Sequence, residues 1–132
     1  MTQMDQATIM LVDDENIILD VNREILETLG FRVLTASTGQ EALNVYEAHS
    51  GEIDLVILDM IMPDIGGAEI FAAIRGRNSG VRVILSSGYL HNDETAMLMK
   101  QGCDAFLQKP FRINDLLAKI REVLEKPDSL ET

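Results

Sequence analysis

Short apolar runs and longer amphipathic stretches alternate along this chain. Thr8-Ile9-Met10-Leu11-Val12 and Leu55-Val56-Ile57-Leu58 are apolar at nearly every position, which predicts strands covered on both faces. The pattern places strands over 7–12, 32–35, 54–58, 81–86 and 104–108. Helical spacing predicts helices over 16–29, 67–76, 94–101 and 113–125, and another that opens at Thr38 and ends before Gly51. In the first helix Ile18, Val21, Ile25 and Leu29 form the apolar stripe, and Gly30 is placed to stop it. Thr38 with Glu41 three residues later reads as a capping box. Strands alternating with helices mean βαβ units and a parallel sheet. The expected fold is α/β, a flavodoxin-like (βα)5 three-layer sandwich with a five-stranded parallel sheet in the order 2-1-3-4-5. One domain over 7–126 is expected, with 1–6 and 127–132 as tails.

Composition narrows the function. The chain has 132 residues, 22 Asp plus Glu against 11 Lys plus Arg, and a net charge of −11. Nucleic-acid binding depends on basic residues that neutralise phosphates, and no basic stripe is present. Direct nucleic-acid binding is not expected, and neither is membrane insertion, because no apolar run approaches a bilayer's width. One cysteine, Cys103, rules out an internal disulfide and fits a reducing, cytoplasmic location.

Candidate chemistry collects at strand ends. Asp13 and Asp14 close the first strand, Asp59 closes the third, and Lys109, followed by Pro110, closes the fifth. In a parallel sheet these ends form one edge, where ligands bind. An aspartate after a buried strand is commonly a helix cap or turn former, but four such charges at one edge make a different case. Three clustered carboxylates are unfavourable unless a cation joins them. Mg²⁺ takes one or two carboxylates and keeps several waters. A carboxylate beside it can attack phosphorus, and a lysine can offset the charge of the incoming oxygens.

Four segments, in this order, resemble the receiver domain of two-component response regulators: 9–15, 54–63 with Gly67, 83–88 and 106–111. The resemblance covers about residues 7–126. It implies that Asp59 is the phosphoacceptor, charged by a histidine kinase or histidine phosphotransfer protein. It implies that Asp13, Asp14, Asp59 and the backbone carbonyl of Ile61 hold Mg²⁺. Lys109 matches the phosphate-binding lysine, and the Lys109–Pro110 peptide is expected to be cis. Ser87 matches the switch hydroxyl, and Phe106 the aromatic that reports the switch on the face of the fourth helix, fifth strand and fifth helix. That face would then bind a downstream protein or a domain of the same polypeptide; dimerisation through it is left open. Leu85-Ser86-Ser87-Gly88-Tyr89 and Gly66-Gly67 look like receivers of hybrid sensor kinases. A single-domain regulator is the other expectation.

Some positions depart from the commonest family pattern. Ser87 stands where Thr is commoner, Gly88 where Ala is, and Phe106 where Tyr is frequent. An apolar Ile61 and a bulky Tyr89 are expected to obstruct an attacking water and slow self-dephosphorylation. Arg112 stands where a helix cap belongs and is a poor one. His49 and His91 are lone; His49 is expected exposed near a helix end, and His91 in a loop. Cys103 is expected semi-buried, Tyr46 and Phe71 in the core. Met97 and Met99 are expected to have opposed burial. A haloacid-dehalogenase-like phosphatase would carry an acid two residues after Asp59, where Ile61 stands. A flavin carrier would not place Asp13-Asp14-Glu15 against a phosphate. The intact set of acids, hydroxyl and lysine argues against a degenerate, purely binding receiver.

Overall fold

The computed structural model describes residues 7–77, 80–88 and 93–125. Tyr89, His91 and both expected tails lie outside the described residues. Strands and helices alternate: β1 (Thr8–Val12), α1 (Asn16–Thr28), β2 (Arg32–Ala36), α2 (Gly39–Ala48), β3 (Leu55–Asp59), α3 (Gly67–Arg77), β4 (Arg82–Ser87), α4 (Asp93–Lys100), β5 (Ala105–Gln108) and α5 (Ile113–Leu124). Every strand pair is parallel, in the order β2-β1-β3-β4-β5. No described helix is long and apolar enough to cross a membrane.

Side chains that alternate across the sheet feed two cores. Met10, Val56, Val83 and Leu85 pack with Tyr46 of α2, Phe71 of α3 and Leu98 of α4. Ile9, Leu11, Ile57 and Ile84 pack with Leu19 and Leu26 of α1 and Leu116, Ile120 and Val123 of α5. Each fully buried aliphatic side chain contributes about 1.5–3 kcal/mol relative to exposure. Two aspartates that precede strands tie neighbouring strands together. Asp54 accepts the N–H of Thr8, and Asp104 that of Val83, both at 2.8 Å.

The stripe on α1 is not the expected one. Leu19 and Leu26 are buried, whereas Ile18, Val21 and Leu29 are exposed and Ile25 is half-buried. This helix carries more apolar residues than one face can hold, so spacing alone does not say which stripe meets the sheet. Gly30 does follow the helix, at φ 103°, a conformation open to glycine. Thr38 Oγ1 accepts the N–H of Glu41 at 3.0 Å, but the Glu41 carboxylate reaches past Thr38 to the N–H of Ser37. The capping box is therefore shifted back by one residue on one side.

Three smaller expectations also change. Met97 and Met99 are both exposed, because the one buried position between them is Leu98; at 100° per residue both methionines flank it. Cys103 is buried, and its Sγ bonds the carbonyls of Val83 (3.3 Å) and Ala105 (3.4 Å). Arg112 heads α5 although its side chain has no acceptor; instead Asp115, three residues on, accepts the Arg112 N–H at 3.2 Å. Tyr46 and Phe71 are in the core as expected. His49 follows α2 and bonds Glu52 at 3.2 Å.

Candidate functional site

The carboxyl ends of β1, β3 and β5 converge on one point. Lys109 Nζ bridges Asp13 Oδ2 at 2.6 Å and Asp59 Oδ2 at 3.2 Å. The other carboxylate oxygens bond the backbone: Glu15 N–H donates to Asp13 Oδ1 at 3.0 Å, and Ile61 N–H to Asp59 Oδ1 at 3.1 Å. Asp13 and Asp59 are buried, and Asp14 beside them is exposed. The three offer carboxylate oxygens within 4.8 Å of one another.

Local sequence explains this placement. Asp59 is the last residue of β3, and Gly67 opens α3 directly against it. A Cβ at Gly67 would lie 2.7 Å from Met60 Cα and 3.0 Å from the Asp59 carbonyl oxygen, so only glycine fits there. The Gly67 N–H closes the loop by donating to the Met60 carbonyl at 3.0 Å. Lys109 is held by its own N–H, which donates to the Ser87 carbonyl at 2.7 Å. The Lys109–Pro110 peptide is cis.

Electrostatics keep the site charged and unbalanced. Burial pushes the Asp59 carboxyl above its ordinary pKa, opposed by the Ile61 N–H and Lys109 and reinforced by Asp13. Burial works against the Lys109 ammonium, yet its bond to Asp13 and the charge of Asp59 outweigh it and raise the pKa. One ammonium against three carboxylates leaves excess negative charge among hard oxygen donors. That donor set fits a small, hard divalent cation such as Mg²⁺. Asp13, Asp14 and Asp59 are the side chains that would hold it.

The other residues singled out lie around this centre. Ser87 is buried at the end of β4. Phe106, on β5, is half-buried and packs against the core beneath α2, α3 and α4. The Ile61 side chain, two residues beyond Asp59, is 57% exposed to solvent. Two residues near the site carry no signal in local spacing. Asp64 bonds the start of α2 across 24 and 25 residues of chain. Ser86 pairs with Asp59 across β3 and β4, which only strand register reveals.

Residues 9–121 match the response regulator receiver domain family. The chain belongs to that family. It is 33% identical over 122 residues to a protein named Sensor kinase CckA from Brucella abortus (strain 2308), covering 92% of this chain and 13% of that one. It is 34% identical over 121 residues to a probable transcriptional regulator, ycf27, from Cyanidium caldarium, covering 92% of this chain and 47% of that one. This receiver thus spans a small part of the first relative and about half of the second. Its fold matches a receiver domain protein from Clostridium thermocellum at a TM-score of 0.83 and 35% identity, covering 89% of this chain and 94% of the other. It also matches the response regulator TrrA from Thermotoga maritima, solved in complex with Mg(2+)-BeF, at a TM-score of 0.77 and 34% identity, covering 90% and 100%. As a receiver the chain is a signalling switch rather than a conventional enzyme.

Proposed function

We propose that Asp59 accepts a phosphoryl group from the phosphohistidine of a histidine kinase or histidine phosphotransfer protein. The observation that carries this is the pair of bonds from Lys109 Nζ to Asp13 and Asp59, which sets a cation beside a buried carboxylate. An Asp59 oxygen forms the new O–P bond while the donor's P–N bond breaks, and the imidazole leaves with that electron pair. Asp13, Asp14 and Asp59, with the Ile61 carbonyl, would hold Mg²⁺, which when bound would offset charge on the phosphoryl oxygens. Lys109 bonds one of those oxygens, and Ser87 donates to another. Phe106 follows Ser87, and the face of α4, β5 and α5 changes its affinity for a downstream protein, a domain of the same polypeptide or a second copy. Such a shift needs a differential interaction with two states, which the added phosphoryl charge provides. The receiver domain is taken as 7–126 and its compartment as the cytoplasm, where ATP feeds histidine kinases.

The donor's docking surface is the exposed stripe of α1. Ile18 joins Glu15, Gly88, Lys109 and Phe111 in lining a cleft beside the site. Val21 and Leu29 continue that apolar surface away from it. A donor helix laid along this stripe would bring its histidine to the mouth beside Asp59.

The test is intact mass after incubation with Mg²⁺ and acetyl phosphate. One phosphoryl adduct is expected, dependent on Mg²⁺ and absent in Asp59→Asn. No adduct in a protein that binds Mg²⁺ would overturn the assignment.

A further inference from the structure

We infer that one internal water molecule is held beneath the site, between Ser86 of β4 and Asn22 of α1. Ser86 is 2% exposed, and its Oγ finds no hydrogen-bond partner among the described residues. It lies in the cross-sheet row that includes Asp59, with which it is paired, and Leu107 on its other side. Its neighbour Ile84, two residues back, packs on the α1 and α5 face, so Ser86 turns toward those helices.

A cavity of ≈ 20 Å³, counted as the space open to the centre of a water molecule, lies there. Ser86, Asn22 and Asp13 are its polar lining, among apolar residues such as Ile57 and Leu116. A water needs about 10–15 Å³ of such space and two to four polar partners. Ser86 offers a donor and acceptor, Asn22 both kinds of group, and Asp13 a carboxylate with lone pairs beyond those that bind Glu15 and Lys109. A buried hydroxyl left without any partner would be costly. The water satisfies it and links α1 to the back of the Asp13 carboxylate. Nothing in this link depends on phosphorylation of Asp59.

The test is a high-resolution crystal structure of the full chain and of Ser86→Ala, with the Tm of each. One ordered water within hydrogen-bond distance of Ser86 Oγ is expected, absent from the variant, whose Tm falls by about 2–5 °C. No density beside Ser86 Oγ would overturn the inference. So would a Tm that rises in Ser86→Ala, because deleting an unsatisfied hydroxyl is stabilising.

Discussion

Asp64 reaches from the loop after β3 to the first turn of α2, where its two oxygens accept the N–H groups of Gly39 at 2.8 Å and Gln40 at 3.0 Å. These are two of the helix-start donors that have no partner within the helix. With Thr38 accepting from Glu41, the start of α2 is satisfied by two residues far apart in sequence. The same bonds fix the loop that carries Ile61, beside Asp59. The approach is close: a Cβ on Gly39 would lie 2.7 Å from Ile65 Cβ.

Asp64→Ala is expected to lower the Tm and to weaken Mg²⁺ binding, since the loop beside Asp59 loses its anchor. The N–H groups of Gln40 and Gly39 hold the Asp64 carboxyl below its ordinary pKa. Its contribution is therefore present above the unfolded pKa and is lost as pH falls through the lower folded value. Urea unfolding at neutral pH should separate wild type from variant, and the gap should close in acid, once the pH falls through the lowered carboxyl pKa. A gap that persists in acid would point to packing rather than charge. Gly39→Ala should be destabilising by about 1–3 kcal/mol through overpacking against Ile65, although alanine is the better helix former.

Lys109→Met should leave Asp13 and Asp59 buried without their shared ammonium. A loss of about 1–3 kcal/mol is expected in metal-free buffer. The deficit should shrink when Mg²⁺ is added, because the cation replaces the missing charge and binds only the folded form. Thermal melts with and without Mg²⁺ measure both effects; an equal deficit in the two buffers would contradict a shared charge site.

The two stripes of α1 should behave differently. Leu26→Ala removes a side chain with no exposed area and should cost about 2–5 kcal/mol. Val21→Ala, on the 48% exposed side, should change stability by less than about 0.5 kcal/mol. It should slow transfer from a phosphorylated protein donor while leaving phosphorylation by acetyl phosphate unchanged. Equal slowing with both donors would remove α1 as the docking surface.

Cys103 should be inert in the native protein. Burial pushes its thiol pKa up to about 11, and the thiolate is the reactive form. Iodoacetamide at neutral pH should leave the folded chain unmodified and alkylate it in denaturant, as read by intact mass.

Much of this architecture was legible in the sequence because its signals are local. Apolar runs such as 55–58 mark strands buried on both faces, and charges that end those runs must share one edge of a parallel sheet. The positions of Asp13, Asp14, Asp59 and Lys109 followed from that rule. Tertiary structure alone decided which of two overlapping stripes on α1 meets the sheet, since periodicity is the same for both and only the strand surface chooses Leu19 and Leu26. It also decided that Leu98 turns inward between two exposed methionines. Asp115 capping Arg112 was within reach of sequence, because the bond spans three residues. The Asp64 bonds to α2 and the place of Ser86 beside Asp59 were not, because they join residues that sequence separation keeps apart and that only parallel pairing brings together.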